Sequence, residues 1–179
     1  IDTIIVEIEN RPLNLILKEN KIKKIWIRNS QIEYLNLDFN DLEELNNDSF
    51  SNISADSINF YGNRIIKMDS NIFSGQIDIK SIQFDANEIE QHSFRLDLNL
   101  RPVIYSITFS SSNLAEFNSF RNNDAVEIIY LSFNQIQRLK ENSFFNLSRI
   151  EMILLNTNRI VLLESFAFAN LPQLKSIHL

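Results

Sequence analysis

Apolar residues recur along the chain in a short, fixed pattern. In its clearest copy they are Ile129, Leu131, Ile136 and Leu139, with Asn134 between them. Two aliphatic residues two positions apart place their side chains on one face of a short β-strand. The asparagine and the aliphatic residues after it indicate a tight turn whose side chains still point inward. Each copy therefore predicts a strand followed by a buried turn.

The same pattern returns at nearly constant spacing, which predicts a repeat architecture. The copies start near residues 15, 35, 58, 82, 107, 129, 153 and 177, so that the interval between them is 20 to 25 residues. A period of this length indicates a solenoid, in which each coil packs only on its neighbours. One position of the pattern holds asparagine in every complete copy but one, where Ser112 replaces it. The asparagines of this column are Asn20, Asn40, Asn63, Asn87, Asn134 and Asn158.

The spacing L-x-x-L-x-L-x-x-N-x-L resembles the leucine-rich-repeat family, and the resemblance covers about 165 of the 179 residues. Phenylalanines placed five residues after the last aliphatic position of a repeat are typical of the extracellular repeat type of about 24 residues. These are Phe50, Phe73, Phe144 and Phe168, for which core packing is the expected role. The resemblance implies an α/β repeat solenoid, a right-handed horseshoe with a parallel concave sheet of about 7–8 strands.

The convex segments of the horseshoe are expected to be short helical turns or irregular chain. Leu147 and Leu171 each follow a phenylalanine of the spine by three residues, as on one face of a helical turn. Trp26 lies in the convex part of the first unit, where it is either a binding anchor or a residue of the core. Residues 88–126 are the most irregular part, which indicates a kink or simply sequence drift in convex loops.

The chain reads as one solenoid segment over residues 1–179, because its 2 glycines and 3 prolines give no sign of a linker. Residues 1–12 predict a strand, either the tail of an earlier repeat or an edge-covering hairpin. The last repeat is cut in its strand at Leu179, which would leave a sheet edge exposed. We therefore expect this segment to come from a longer array, with any cysteine-bearing caps outside it.

The asparagine column is expected to form a structural ladder. Each carboxamide would lie inside a turn and bond backbone groups that the strand leaves unpaired. A serine hydroxyl makes fewer bonds than a carboxamide, so the ladder is predicted to be weakest at Ser112.

The residues between and beside the strand aliphatics are expected to form the concave face. The middle of this face is small and polar, whereas its C-terminal part carries an apolar cluster, which predicts a protein-binding patch. Alternatively, neighbouring side chains or a glycan cover these residues, or Phe133 tucks into its turn. The candidate ligand-binding residues are Tyr34, Asn36, Asn59, Tyr61, Gln83, Thr108, Ile128, Tyr130, Phe133, Met152 and Leu154.

Composition and charge narrow the function classes. A net charge of −6 argues against a nucleic-acid partner, which needs a basic face, and no apolar run is long enough to span a membrane. The chain lacks cysteine, its two histidines are several repeats apart, and its two glycines cannot build a phosphate loop. We therefore predict no catalytic, metal-binding or cofactor-binding residues and no enzymatic activity.

Three sequons for N-glycosylation, at Asn47, Asn52 and Asn146, fall in convex segments, away from the predicted binding face. With the phenylalanine spine they favour an extracellular or cell-surface protein. The predicted function is a recognition module for a protein ligand, similar to Toll-like, Slit-like or cell-adhesion ectodomains. The alternative is an intracellular scaffold or adaptor using the same sheet, with an enzyme a distant third, and homodimerisation is left open.

Overall fold

The structure is a computed structural model that describes residues 2–8, 12–69, 72–89, 104–115, 117 and 120–179. Within these ranges the chain forms β-strands and no helix. In chain order the strands are β1 (Thr3–Glu7), β2 (Leu13–Ile16), β3 (Lys24–Asn36), β4 (Glu44–Leu45), β5 (Phe50–Asn59), β6 (Lys67–Met68), β7 (Phe73–Gln83), β8 (Ser106–Thr108), β9 (Phe120–Asn123), β10 (Ile128–Tyr130), β11 (Arg138–Leu139), β12 (Phe144–Leu147), β13 (Met152–Leu154), β14 (Leu162–Leu163), β15 (Phe168–Ala169) and β16 (Ser176–His178).

One parallel sheet runs along the molecule, in the order β1-β3-β5-β7-β8-β10-β13-β16, with β2 also pairing with β3. Successive strands align at the same position of the repeat, so that the chain advances by one coil per strand. These aligned residues are Leu15, Leu35, Ile58, Ile82, Ile107, Ile129, Ile153 and Ile177. The prediction of a leucine-rich-repeat type solenoid with a parallel sheet is confirmed.

Among the described residues the core is one cluster enclosed by the coils. In the second coil the aliphatic positions Leu35, Leu37, Leu42 and Leu45 are at most 1 % exposed. The second aliphatic position of the pattern, equivalent to Leu131, is phenylalanine in three coils. These phenylalanines form a parallel stack, with ring centroids 5.0 Å apart from Phe60 to Phe84 and from Phe84 to Phe109. Because every coil repeats the same inward positions, like side chains stack on like along the solenoid.

A left-handed residue stands directly before each position of the asparagine column. This conformation reverses the local chain direction and turns the next side chain into the interior, at some cost in strain for any residue except glycine. Gly62 takes this position in one coil with φ of 66°, and the other coils use residues with side chains. These residues are Glu19, Phe39, Ala86, Ser111, Phe133 and Thr157, with φ between 54° and 58°.

The convex side is extended rather than helical. β9, β12 and β15 form a three-stranded parallel sheet in which Phe120 joins the spine residues Phe144 and Phe168, whereas Phe50 and Phe73 lie in β5 and β7. Phe144 and Leu147 both point inward although they are three residues apart, because Asn146 between them has φ of 54°. The helical turn predicted from this spacing is therefore wrong, and the same holds at Leu171, where Asn170 has φ of 53°.

The first coils are built on long strands. β3 pairs in parallel with β1 at its start and with β2 at its end. The sequence allows Trp26 to be either a binding anchor or a residue of the core, but Ile25 and Ile27 fill the interior here. Trp26 lies half-buried on the opposite side of β3, in register with the exposed Ile5. Residues 90–103 of the irregular segment, including His92, lie outside the described ranges.

Candidate functional site on the concave sheet

The asparagine column, here called the inner ladder, joins each coil to its neighbour. The Nδ2 of Asn134 donates to the carbonyl oxygens of Leu131, in its own coil, at 3.0 Å and of Phe109, in the previous coil, at 2.8 Å. Its Oδ1 accepts from the backbone N–H groups of Ser112 and Leu114. One carboxamide therefore satisfies backbone groups of two coils.

Four other members of the inner ladder follow the same plan. Asn40, Asn63, Asn87 and Asn158 each donate to a carbonyl of their own coil and to one of the coil before, and each accepts a backbone N–H. Asn20 is exposed and donates to Leu17 and Lys18, both in its own coil.

Ser112 keeps one contact of the inner ladder. Its buried hydroxyl donates to the carbonyl oxygen of Phe84 in the previous coil, at 2.9 Å. The hydroxyl has one hydrogen, whereas the carboxamide nitrogen has two, so Ser112 cannot match the bonding of Asn134. The ladder thus tethers the turn that follows each concave strand and holds the strands in fixed register.

The predicted face residues lie on the concave side, but the exposed fraction of their side chains differs from residue to residue. Phe133 is 63 % exposed and Tyr61 is 38 % exposed, whereas Asn36 is only 7 % exposed. Phe133 therefore does not tuck into its turn. The remaining candidates are partly exposed: Tyr34, Asn59, Gln83, Thr108, Ile128, Tyr130, Met152 and Leu154.

The polar half of the face is hydrogen-bonded to itself. The phenolic oxygen of Tyr34 accepts from the amide nitrogens of Asn36, at 2.9 Å, and Asn59, at 3.0 Å. The hydroxyl of Ser57 donates to Asn59 Oδ1, and Asn36 Oδ1 accepts the backbone N–H of Asp38. These side chains are held by bonds within the sheet, and no pattern in the sequence predicted this network.

Two carboxylates continue the network. Asp38 accepts the backbone N–H of Tyr61 at 2.9 Å, and Asp85 accepts hydrogen bonds from Gln83 and Thr108. Burial raises the pKa of the Asp38 carboxyl above its ordinary value. Hydrogen bonds from Tyr61 and Asn36 and the charge of Lys18 act in the opposite direction. Both acidic side chains are thus already engaged by the sheet.

The C-terminal half of the face carries a compact apolar block. Ile128 is in register with Met152, and Tyr130 is in register with Leu154, so that the four side chains form a two-by-two array on β10 and β13. Phe133 lies just past the end of β10 and is exposed. We call these five residues the apolar block. Neighbouring side chains cover it only in part.

A second column of asparagines, on the convex side, was not predicted. Two residues after the phenylalanine spine, or after Ile27 in its place, the chain has an exposed asparagine with positive φ. The signal available in the sequence was the recurrence of asparagine at this position. These residues are Asn29, Asn52, Asn122, Asn146 and Asn170.

Metal ligands, one apolar hollow and the length of helices are further features of the described part of the chain. These residues contain no group of three histidine, cysteine, aspartate or glutamate side chains placed to hold a metal. A hollow of about 550 Å³ after the last coil is lined by apolar residues with Thr157 and Asn158, none of which is an acid or base. No helix that is long and apolar enough to cross a membrane occurs among the described residues.

Comparison with known proteins agrees with this architecture. The family model described as "Leucine rich repeat" matches residues 124–179, and the one described as "BspA type Leucine rich repeat region (6 copies)" matches residues 19–119, more than half of the chain. Osteomodulin of Mus musculus is 25 % identical over 130 residues, which are 71 % of this chain and 30 % of that protein. Osteomodulin of Rattus norvegicus is 31 % identical over 98 residues, which are 53 % of this chain and 23 % of that protein.

The chain thus spans less than a third of the length of either relative. No solved structure matches.

Proposed function

The chain belongs to the leucine-rich-repeat family, whose solenoids serve as protein-interaction modules, and from this premise we propose an extracellular recognition module that binds a protein ligand at the apolar block. The proposed setting is the ectodomain of a receptor or adhesion protein.

The contrast between the two halves of one sheet carries this proposal. In the polar half Tyr34, Asn36 and Asn59 already bond one another, so a ligand there would exchange existing hydrogen bonds for new ones with little net gain. In the apolar half Tyr130 and Leu154 still expose apolar surface. Covering such surface is favourable by about 25 cal/mol per Å². The gain from binding is therefore concentrated at the apolar block.

The composition of the apolar block resembles the centre of a protein–protein interface. Such centres are enriched in aromatic residues and methionine and depleted of charge. Tyr130 and Phe133 supply the aromatic side chains, and Met152 supplies a flexible thioether that adapts to the partner's shape. The matching partner surface is a small apolar protrusion that enters the curve of the sheet.

The extracellular setting is supported by the three sequons and by the phenylalanine spine. Asn47, Asn52 and Asn146 are exposed and lie on the convex segments, where glycans would leave the apolar block free. We propose all three as glycosylation candidates. An intracellular scaffold would use the same concave face without glycans, so glycan analysis of the native protein separates the two settings.

The experiment is a double substitution, Tyr130→Ala with Leu154→Ala, in the full chain. The wild-type protein is first used to identify binding partners on cell surfaces. These partners are purified, and their affinities for wild type and variant are compared by calorimetry. We expect the affinity to fall by roughly 30-fold or more, since central aromatic and aliphatic anchors each contribute about 1–2 kcal/mol or more.

The matched control is Asn59→Ala with Gln83→Ala, at the equivalent positions of β5 and β7 in the polar half. Its affinity for each partner should change by less than about threefold. A folded Tyr130→Ala, Leu154→Ala protein that binds every partner as wild type does would rule out the apolar block as the site.

A further inference from the structure

The second asparagine column forms a ladder of its own, which we call the outer ladder. Its members bond one another through their carboxamides: Asn146 Nδ2 donates to Asn122 Oδ1 at 3.1 Å, and Asn170 Nδ2 donates to Asn146 Oδ1 at 2.6 Å. At the other end of the molecule Asn52 Nδ2 donates to Asn29 Oδ1 at 3.2 Å. The carboxamides therefore point the same way along the convex side, each donating to the coil before it.

A glycine interrupts the outer ladder. Gly75 stands opposite Asn52 with φ of 74°, and a Cβ there would lie 2.0 Å from Asn52 Oδ1. A side chain at position 75 would thus displace the Asn52 carboxamide. In the described part of the chain the outer ladder consists of one segment with Asn29 and Asn52, and another with Asn122, Asn146 and Asn170.

The outer ladder coincides with two of the three sequons, at Asn52 and Asn146. We propose that Asn146 carries an N-linked glycan while its carboxamide stays hydrogen-bonded in the outer ladder, an inference that rests on the proposed extracellular function. Asn146 is exposed, and its sequon partner Ser148 is exposed as well.

The chemistry of the carboxamide allows both roles at once. Its nitrogen has two hydrogens, and the bond to Asn122 uses one of them. Glycosylation in the secretory pathway takes the oligosaccharide from a lipid pyrophosphate. A bond forms between Nδ2 and the anomeric carbon of the sugar, the bond from that carbon to the pyrophosphate oxygen breaks, and Nδ2 loses one proton to a base of the transferase. The remaining N–H can still be donated to Asn122, and Oδ1 can still accept from Asn170.

Such a glycan would be held more rigidly than one on an ordinary exposed asparagine. A glycoamidase must reach the carbonyl carbon of the carboxamide, and at Asn146 the hydrogen bonds to Asn122 and Asn170 would have to break first. Asn47 lies outside the outer ladder, in the turn before Phe50. Release of the glycan from folded protein should therefore be slower at Asn146 than the accessibility of its surface alone predicts.

The experiment uses the full chain secreted from a eukaryotic cell line, with site occupancy measured by mass spectrometry of glycopeptides. A glycoamidase is then applied to folded and to denatured protein, and the ratio of the two release rates at Asn146 is compared among variants. For wild type we expect release from folded protein to be about tenfold slower than from denatured protein, the equivalent of about two hydrogen bonds.

Asn122→Gly removes the acceptor of Asn146 while keeping a residue suited to positive φ, as Gly75 does naturally. It should speed release from folded protein about threefold, the equivalent of one hydrogen bond. The matched control is Asn29→Gly, in the other segment of the outer ladder, which should leave release at Asn146 unchanged. Circular dichroism verifies that both variants fold.

An unmodified Asn146, equal release from folded and denatured protein, or no effect of Asn122→Gly would each overturn the inference. Ligand affinity is measured on the same preparations. A glycan at Asn146 that behaves as expected on a protein whose apolar block binds nothing would refute the proposed function alone. Unmodified Asn146 on a protein that carries a glycan at Asn47 or Asn52 and binds through the apolar block would refute this inference alone.

Discussion

A buried hydroxyl in the convex segment gives the most direct test at the scale of single residues. Ser143 is fully buried, and its hydroxyl has no hydrogen-bond partner among the described residues. Ala167 occupies the same position in the next coil, beside the paired Phe144 and Phe168. The next coil thus has a methyl group at the position where Ser143 has an unsatisfied hydroxyl.

Ser143→Ala is expected to raise the free energy of unfolding by about 1 kcal/mol, because it removes a desolvated and unpaired hydroxyl. Urea unfolding followed by circular dichroism measures the change. Ser112→Ala is the control, since that serine is equally buried but its hydroxyl donates to Phe84. The control should lower stability, and a loss of stability in Ser143→Ala as well would show that its hydroxyl has a partner.

The sequence predicted the direction of single side chains better than their exposure. Asn36 stands between Leu35 and Leu37, and the alternation of a strand assigns it to the concave face, where it lies. Its low exposure results from the hydroxyl of Tyr34 and from neighbours on adjacent strands. Contacts across strands depend on the side chains of other coils, so the pattern of one coil could not predict the polar network, whereas the separation of a polar middle from an apolar cluster was visible in the sequence.

At the scale of the element, the inner ladder is the feature that fixes one coil to the next. Asn134→Ala would remove the carboxamide's bonds to three carbonyl oxygens and two backbone N–H groups, and we expect it to lower the free energy of unfolding by about 1–3 kcal/mol. Thermal unfolding measures the loss. Asn20→Ala is the matched control, because Asn20 is exposed and bonds only carbonyls of its own coil in the structure.

The control should change stability by less than about 0.5 kcal/mol, as is usual for exposed substitutions. An unchanged melting temperature for Asn134→Ala would mean that water or relaxed backbone replaces the carboxamide, and that the inner ladder does not hold the coils together.

Concave strands were predictable, whereas the convex segments were not, and the reason is local geometry. Alternation with a period of two is typical of strands, and its return in every copy removed the ambiguity that Ile129 and Leu131 alone would leave. A spacing of three is shared by a helical turn and by a strand with one left-handed residue, and Phe144 and Leu147 fit both. Asparagine is among the few residues that adopt the left-handed conformation readily, so Asn146 between them was the distinguishing signal.

At the scale of the whole molecule, each coil is stabilised by the two coils that cover it. Ile58 and Ile82, in interior coils, are fully buried, but in the last coils Leu162 and Leu163 are 45 % and 46 % exposed and Ile177 is 37 % exposed. Stability in such a stack is approximately the sum of contributions from single coils and from the interfaces between neighbours. In residues 1–179 studied as a separate polypeptide, a coil covered on one side lacks one interface, so it should open locally at lower free energy than the interior coils.

Native-state hydrogen exchange followed by mass spectrometry tests this distribution. We expect amide hydrogens of β5 and β7 to exchange only on global unfolding, and those of β14, β15 and β16 to exchange at least about 100-fold faster, for a difference near 3 kcal/mol. Ser143→Ala serves as a probe, because an added 1 kcal/mol in a coil next to the last should slow exchange in β12 more than in β5. Uniform protection from β5 to β16 would mean that the solenoid unfolds as one unit and that the coupling between coils outweighs the missing interface.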